Sequence, residues 1–251
     1  MKIPNTNNLD LAIDVSGLCF AWDSHDPLLE IDSLQIKRGE RIFIYGPSGS
    51  GKSTLLSLIA GVVTPQKGTI TINDQRVSAL NGAERDRFRA DHIGFIYQMF
   101  NLIPYLSVVE NVTLPCRFSL RRRERAAARS SSFGTEAMRL LKSLGLDSAS
   151  VIKKPANELS VGQQQRVAAA RALIGAPEII IADEPTSSLD IDHRKAFIRL
   201  LFQECDPKET SLIFVSHDTT LANLFDQTIR LADINKIWII SELVVDKKGN
   251  G

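Results

Sequence analysis

The chain has 251 residues, 43% of them hydrophobic and 24% charged, which is typical of a soluble globular protein with one large domain or two lobes. Its formal net charge of +1 gives no overall electrostatic reason to expect nucleic acid or an anionic membrane surface as a partner. The cysteines Cys19, Cys116 and Cys205 lie far apart and match neither a disulfide framework nor a zinc-site spacing, so we expect a reducing cytosolic environment.

Both ends of the chain are polar, and we expect residues 1–10 and 246–251 to form flexible tails. The first residues lack the apolar segment of a signal peptide, and no uninterrupted run of about 18 apolar residues predicts a membrane-spanning helix. We therefore expect that another subunit anchors the protein if it works at a membrane.

The first predicted elements are strands. Apolar runs at 11–20 and 28–36 are bounded by turn residues, which is typical of a half-buried sheet. Trp22 lies between these two runs. A third apolar run, at 41–45, leads into a glycine-rich loop.

This loop precedes a helix-like segment at 55–60 and fits the pattern G-x-x-x-x-G-K-[ST]. In such loops the backbone N–H groups face inward, and the positive end of the following helix points at the same place, which favours a nucleotide triphosphate. Lys52 would reach the β- and γ-phosphates, and the hydroxyl of Ser53 would hold Mg²⁺. The loop residues expected to contact the nucleotide are Gly46, Pro47, Ser48, Gly49, Ser50, Gly51, Lys52, Ser53 and Thr54.

The middle of the chain changes from strands to helices after Gln98. The predicted elements, in chain order, are a strand at 68–74, a helix at 84–91, a strand at 93–97 and helix-like segments at 108–116 and 121–146. A further helix begins at Ser160 and ends near residue 174. We therefore expect a helical insertion between Gln98 and this helix.

Arginine is concentrated in one local patch within the helical insertion. A basic patch can bind nucleic acid or lipid headgroups, but the pattern here favours a solvated helix face, and we assign it no function. The patch consists of Arg121, Arg122, Arg123, Arg125 and Arg129.

Two runs dominated by apolar residues in the second half of the chain, at 178–182 and 210–216, indicate buried strands. A helical pattern at 192–203 lies between them, which gives the strand–helix–strand order of a parallel sheet. Ligands of such sheets bind at the carboxyl ends of the strands. The residues that fall at those ends are Gly46, Gln98, Asp183 and His217.

Asp183 and Glu184 complete the chemistry that the phosphate loop begins. An aspartate at the end of a buried strand can hold Mg²⁺ opposite Ser53, and the adjacent glutamate can polarise a water for attack on the γ-phosphate. The alternative is a strand that merely ends on solvated carboxylates.

Five motifs in addition to the phosphate loop, in the family's order, make the sequence resemble the nucleotide-binding subunits of ATP-binding cassette (ABC) transporters from about residue 11 to residue 240. Besides the phosphate loop, the matching segments are Gln98 as the Q-loop glutamine, 159–166 as the signature motif, 179–184 as the Walker B strand, 188–190 as the D-loop and His217 as the switch histidine.

The resemblance implies a single ABC ATP-binding domain over residues 11–240 with an α/β P-loop NTPase (RecA-like) core. It implies that a parallel sheet and a small antiparallel β subdomain occupy residues 11–98 and 165–240. A helical signature subdomain would occupy residues 99–164.

The resemblance also implies a Mg²⁺-dependent ATPase that works as a head-to-tail pair, with a homodimer as the expected form. ATP would lie between the phosphate loop of one copy and the signature motif of the other. Glu184 would be the general base, His217 would hold the γ-phosphate and the attacking water, and Lys52 would be the third catalytic residue. The implied Mg²⁺ ligands are Ser53, Gln98 and Asp183, and the implied nucleotide contacts of the signature motif are Ser160, Gly162 and Gln163.

Two positions leave alternatives open. The family usually places an aromatic ring against adenine near Trp22, with Phe20 as the competing choice and packing within the antiparallel sheet as the alternative to both. The family usually has glycine where this chain has Val161, whose side chain could crowd the closed dimer and slow hydrolysis.

Residues 93–104 and 107–112 resemble the branch of the family that contains the lipoprotein-releasing, macrolide-exporting and cell-division ATPases. This implies an integral membrane partner subunit and a peripheral location on the cytoplasmic face of the inner membrane, with no nucleic-acid partner. A set of apolar residues would either dock the membrane subunit or pack inside the helical lobe, namely Phe100, Leu102, Ile103 and Tyr105.

The expected function is therefore to power export, lipoprotein release or mechanotransmission by the membrane partner. One alternative is a regulatory ABC ATPase with weak turnover, which only Val161 supports. The other is a soluble ABC ATPase that acts on ribosomes or DNA, although such proteins resemble tandem cassettes or carry a long coiled-coil insertion, and this chain has neither.

Overall fold

The structure is a computed structural model that describes residues 10–23, 26–187 and 189–238. Several sequence predictions lie outside the described residues: the expected tails at 1–9 and 246–251, residues 239 and 240 of the predicted domain, and Ser188 of the D-loop. Asp10, which the sequence assigns to the N-terminal tail, forms an ion pair of 2.7 Å with the guanidinium of Arg38. None of the helices in the described ranges is long and apolar enough to cross a membrane.

The strands and helices follow the predicted order closely. The strands are β1 (Leu11–Ala21), β2 (Pro27–Lys37), β3 (Arg41–Tyr45), β4 (Lys67–Ile72), β5 (Gln75–Arg76), β6 (Ile93–Ile96), β7 (Ile179–Asp183), β8 (Ser211–Val215) and β9 (Gln227–Arg230). The helices are α1 (Lys52–Ile59), α2 (Gly82–His92), α3 (Val108–Thr113), α4 (Pro115–Phe118), α5 (Leu120–Ser130), α6 (Phe133–Ser143), α7 (Ala149–Ile152), α8 (Val161–Leu173), α9 (Ile191–Glu204) and α10 (Leu231–Ile234).

The smaller sheet is antiparallel and has the order β2-β1-β4-β5 among the described residues. Alternate residues of β1, such as Ile13 and Val15, are fully buried, because successive side chains of a strand point to opposite faces. This sheet is the antiparallel subdomain that the resemblance implies.

The larger sheet has the order β6-β7-β8-β3-β9, and every neighbouring pair in its described part is parallel. Its central strands are buried on both faces: in β7, Ile180 packs in one hydrophobic cluster with residues of α8 and α9, whereas Ile181 packs in another with residues of α1. Helices therefore cover both sides of a parallel sheet, which confirms the predicted α/β class. Strand β9 lacks a clear sequence signal, because it is short and buries only Ile229.

The helical insertion is more broken than its hydrophobic pattern predicts. The segment at 121–146 forms two helices, because Ser131 adopts a left-handed conformation (φ 62°) and the hydroxyl of Ser132 then caps α6 by accepting a hydrogen bond from Thr135 N. The segment at 108–116 is also divided, with Pro115 at the first position of α4. Residues of α3 and α6 share one hydrophobic cluster with β7 and α8, so the insertion packs directly onto the core.

The prediction that these arginines form a solvated helix face is wrong for Arg122, which is only 3% exposed. Its guanidinium donates hydrogen bonds to the carbonyl oxygens of Ala172 at 2.6 Å and Ile174 at 2.8 Å, beside the C-terminus of α8. The last carbonyls of a helix have no partner within the helix, and Arg122 supplies one from α5. Burial lowers the pKa of this guanidinium to about 10. The sequence patch is therefore in part a buried link between the insertion and the core.

Candidate functional site

The residues predicted at the carboxyl ends of strands lie along one edge of the parallel sheet. Gly46 directly follows β3, Asp183 ends β7, and Gln98 and His217 follow β6 and β8 by two residues. Since these four strands are parallel neighbours, their carboxyl ends meet at the same edge. The structure thus brings together segments that are up to 171 residues apart in sequence, from Gly46 to His217.

The phosphate loop depends on glycine at two positions. Gly49 and Gly51 have φ values of 78° and 96°, a region that side-chain-bearing residues adopt at a cost of about 1 kcal/mol or more. A Cβ atom on Gly51 would also lie 2.8 Å from Cδ2 of Leu29, so only glycine allows the loop to lie this close to β2. Ser50 is completely buried, and its hydroxyl has no hydrogen-bond partner among the described residues.

Lys52 begins α1 and bends over the loop that precedes it. Its Nζ atom donates hydrogen bonds to the carbonyl oxygens of Gly46 at 2.9 Å and Pro47 at 2.8 Å, and the residue is 7% exposed. It forms no direct ion pair with a carboxylate in the described part of the chain. A buried ammonium that contacts only neutral acceptors is well suited to an anionic ligand.

Asp183 offers the clearest sign of a cation site. Burial raises the pKa of its carboxyl group, the nearby Glu184 raises it further, and a hydrogen bond from Ser53 and the charge of Lys52 oppose this effect. Its Oδ1 atom is buried and accepts no hydrogen bond from any described residue. The side chains of Ser53, Asp183 and the exposed Gln98 are oxygen donors of the kind that Mg²⁺ prefers, so this oxygen-donor set fits the ion.

Glu184 and His217 are in direct contact. Nδ1 of His217 lies 3.1 Å from Oε2 of Glu184. The side chain of Glu184 is 18% exposed, whereas that of His217 is 59% exposed. Glu184 has a positive φ of 46°, and its backbone N–H donates to the carbonyl of Val215 at 3.0 Å. Such a strained backbone is uncommon outside glycine and is concentrated at functional sites.

The predicted signature residues form the start of α8. Ser160 is the N-cap: its hydroxyl accepts from Gln163 N at 3.4 Å, and its own N–H donates to Oε1 of Gln163 at 3.0 Å. The Gln163 side chain is therefore engaged within its own helix. Val161 is half exposed, and a Cβ atom on Gly162 would contact nothing within 4 Å. No hydrogen bond joins this segment to the phosphate loop within the described residues.

The two candidate aromatic residues differ in exposure. Phe20 is buried in the antiparallel sheet at 5% exposure, whereas Trp22 is 63% exposed. Trp22 is therefore the ring available to a ligand, and the sheet-packing alternative applies to Phe20.

A separate groove of about 590 Å³ lies between α2, β6 and α4. Its apolar wall includes Phe95, Tyr97 and the 75% exposed Phe118. None of the four residues predicted for docking lines this groove: Phe100 is buried within the helical cluster, Leu102 packs partly buried against it, Ile103 is partly buried and Tyr105 is 78% exposed. The packing alternative is therefore correct for Phe100.

One pair of residues near the site has no counterpart in the sequence predictions. Arg194 of α9 donates from Nη1 to Oδ2 of Asp218 at 2.6 Å, next to His217. Arg194 pairs with Asp218 rather than with Asp190, which lies four residues before it in the chain. Asp190 caps α9 by accepting from His193 N at 3.1 Å, and only the fold brings Asp218 within reach of Arg194.

Comparison with known proteins agrees with this geometry. A sequence profile described as ABC transporter matches residues 29–187. The lipoprotein-releasing system ATP-binding protein LolD of Psychrobacter arcticus is 41% identical over 198 residues, which cover 79% of this chain and 84% of that protein. The ABC transporter ATP-binding protein YtrE of Bacillus subtilis is 41% identical over 207 residues, or 82% of this chain and 86% of that protein.

A solved structure is also similar. It is a dimeric structure of the ATP-binding cassette MJ0796 of Methanocaldococcus jannaschii, in a post-hydrolysis state bound to ADP and Pi. The TM-score is 0.73 at 34% identity, and the match covers 87% of this chain and 93% of that chain.

Proposed function

The chain belongs to the ABC transporter family as an ATP-binding subunit, and we propose that it hydrolyses ATP with Mg²⁺ to power an integral membrane partner. Two copies would close head to tail on two nucleotides, and hydrolysis to ADP and phosphate would reopen them. ATP can drive closure only through a higher affinity for the closed pair than for the open one.

The observation that carries this proposal is the set of incompletely paired groups along one sheet edge. Lys52 contacts only carbonyl oxygens, and Oδ1 of Asp183 accepts no hydrogen bond from the described residues. A triphosphate with its Mg²⁺ would supply the anion that the lysine lacks and the cation that the aspartate lacks.

The residues at this edge would divide the chemistry between them. Lys52 would exchange its carbonyl acceptors for β- and γ-phosphate oxygens. Glu184 would accept the proton of the attacking water, and His217 would hold that water and the γ-phosphate in line. When bound to the oxygen-donor set, Mg²⁺ would offset the negative charge of the phosphates. Trp22 would stack on the adenine ring.

A second cassette would complete each site. Ser160 and the amide of Gly162 lie at the N-terminus of α8, where free N–H groups and the helix dipole favour a phosphate. Because this segment makes no hydrogen bond to its own phosphate loop in the described residues, we propose that it contacts the nucleotide held by the other copy. The dimeric structure of the MJ0796 cassette supports this arrangement.

We propose that the groove between α2, β6 and α4 receives a segment of the membrane partner at the cytoplasmic face of the inner membrane. The groove combines aromatic residues with several arginines, of which Arg87 has no hydrogen-bond or ion-pair partner among the described residues. A helical segment with apolar side chains and a carboxylate would match both features. The relative named for a lipoprotein-releasing system favours export, lipoprotein release or mechanotransmission as the work performed.

The alternative of a regulatory module with weak turnover depends on Val161. A Glu184→Gln variant separates the two functions, because it retains the size of the side chain and removes the general base. We expect a loss of ATP turnover of about 100-fold or more and an ATP-dependent dimer, measured by phosphate release and by light scattering after size-exclusion chromatography. Glu124→Gln, an exposed substitution on α5, is the control. Wild-type protein that binds ATP without turnover, and a Glu184→Gln variant that stays monomeric, would favour the regulatory module.

A further inference from the structure

Arg194 connects two loops that border the candidate site. Its Nε atom donates to the carbonyl oxygen of Leu189 at 2.7 Å, and its Nη1 atom donates to Oδ2 of Asp218 at 2.6 Å. The side chains of Arg194 and Asp218 are 19% and 14% exposed, so this bridge is largely shielded from water. One guanidinium therefore holds both the loop that follows β7 and the loop that follows β8.

Asp218 is itself held in a fixed position. Its Oδ1 atom accepts from the backbone N–H of Thr220 at 3.1 Å and from the hydroxyl of that residue at 2.6 Å, which leaves Oδ2 for Arg194. Its backbone N–H donates to the hydroxyl of Ser216 at 3.1 Å. The hydrogen bond from Thr220, with a further contribution from Arg194, lowers the pKa of this carboxyl group, so Asp218 is a stable anionic partner.

The two loops also meet at the other end. His217, the neighbour of Asp218, contacts Glu184, and Glu184 begins the loop that ends near Leu189. Within that loop, the N–H of Ser187 donates to the carbonyl of Glu184 at 3.2 Å. The contacts therefore form a closed circuit that runs from Glu184 through Leu189, Arg194 and Asp218 to His217 and back to Glu184.

We infer that Arg194 is a positioning residue that fixes His217 relative to Glu184 during ATP hydrolysis, an inference that rests on the proposed function. Arg194 forms no hydrogen bond or ion pair with the phosphate loop in the described residues. Removal of its side chain would leave the nucleotide-binding groups intact and release both loops, of which the one after β8 carries His217. The consequence is an effect on kcat with little effect on the KM for ATP.

The first test is steady-state ATP turnover of the full chain. We expect Arg194→Met and Asp218→Asn each to lower kcat about tenfold or more with KM within about twofold of wild type, since a misplaced catalytic group costs rate rather than binding. The double variant should be no slower than the slower single variant, because both changes break the bridge between Arg194 and Asp218. Arg194→Lys, which can reach one of the two acceptors, should be intermediate.

Arg199→Met is the matched control, because Arg199 is an exposed arginine of the same helix with no hydrogen-bond or ion-pair partner among the described residues. Its kcat should stay within about twofold of wild type. A kcat of Arg194→Met equal to that of Arg199→Met would overturn the inference. The inference would also be overturned if kcat, nucleotide affinity and melting temperature all fell together in Arg194→Met and Asp218→Asn, because that pattern indicates a purely structural role.

A second readout does not depend on turnover. The imidazole signals of His217, assigned by NMR with a His217→Gln variant, should shift in nucleotide-free Arg194→Met and Asp218→Asn and remain in place in Arg199→Met. If wild-type protein fails to hydrolyse ATP, the proposed function fails, and the imidazole signals still decide whether Arg194 positions His217. Unchanged signals in both loop variants would contradict the inference.

Discussion

The indole ring of Trp22 meets the ring of Phe20 edge to face, with ring centroids 5.1 Å apart and planes at 88°. Phe20 is buried in the antiparallel sheet, so it provides a rigid support for the exposed ring beside it. In a contact at this angle, at least one face of the indole stays free of the Phe20 ring. Both aromatic residues suggested by the sequence would therefore have a part in the proposed adenine contact, Trp22 as the stacking ring and Phe20 as its support.

We predict that Trp22→Ala weakens ATP binding, because stacking of a base on an aromatic side chain is worth about 1–3 kcal/mol, or about 5- to 150-fold in Kd. Trp22→Phe should retain affinity within about fivefold, since a stacking ring remains. The measurement is isothermal titration calorimetry with ATP and Mg²⁺. Equal affinities of wild type and Trp22→Ala would exclude an adenine contact by this residue.

We predict different defects for the phosphate loop and the signature segment. Lys52→Ala should abolish ATP binding to the single chain, because it removes the cation that now contacts Gly46 and Pro47. Ser160→Arg should retain ATP binding and lose both the ATP-dependent dimer and turnover, because Ser160 lies at the exposed start of α8.

Nucleotide binding and light scattering of the same samples measure these two defects. Arg129→Ala, an exposed substitution on α5, is the control for both variants. A Ser160→Arg variant that still dimerises with ATP would contradict the head-to-tail arrangement.

The groove between α2, β6 and α4 gives a prediction about the membrane partner. Arg87→Glu should weaken co-purification of an integral membrane subunit by about tenfold or more, because it reverses an unpaired charge in a surface that we propose recognises a carboxylate. ATP turnover of the isolated chain should stay within about twofold of wild type, since Arg87 lies in α2 and not at the sheet edge that carries the proposed nucleotide-binding residues. Arg199→Glu on α9 is the control, and equal recovery of the membrane subunit by both variants would count against this groove.

Glu178, directly before β7, gives a prediction about pH. Burial alone would raise the pKa of its carboxyl group, but hydrogen bonds from His92 and Arg121 and the charge of Arg125 lower it to about 2, from an ordinary value of 4.5. A carboxylate with a lowered pKa stabilises the fold above its ordinary pKa, and that contribution is lost as the pH falls from about 4.5 to about 2.

Glu178→Gln should therefore lower the free energy of unfolding at pH 7 by up to about 3 kcal/mol, because a pKa difference of 1 corresponds to about 1.4 kcal/mol. The difference between wild type and variant should shrink as the pH approaches about 2. Urea unfolding at several pH values measures it, with Glu124→Gln as the control. A difference that does not change with pH would contradict this account of Glu178.

The sequence predicted the elements whose signals are local. The phosphate loop has a fixed spacing of glycines around Lys52, and β7 and β8 each contain four consecutive apolar residues, so their positions could be read without a fold. Their parallel arrangement then predicted that Asp183 and His217 share an edge with Gly46, and the sheet order confirms this. Boundaries inside the helical insertion were wrong, because Ser131 breaks a helix through a left-handed backbone that no periodicity reveals.

The partners of individual side chains depend on the tertiary structure. Arg122 belongs to an arginine-rich segment whose pattern favours a solvated helix face, but its guanidinium is buried against carbonyl oxygens at the end of α8. Arg194 has an acidic residue at the preceding helical turn and instead pairs with Asp218. Both contacts join residues more than 20 positions apart, and the distance between such residues depends on how elements pack rather than on either local sequence.

The phosphate loop, the Walker B strand and the signature segment were therefore readable from the chain alone, because each consists of adjacent residues whose backbone and side-chain properties act locally. The way in which these parts are held required the folded structure: Phe20 supports Trp22, Arg122 links the insertion to the core, and Arg194 joins the loop after β7 to the loop of His217. The physical reason is that hydrogen bonds and ring contacts act over only a few ångströms, so they depend on the positions that the packed core gives to distant segments.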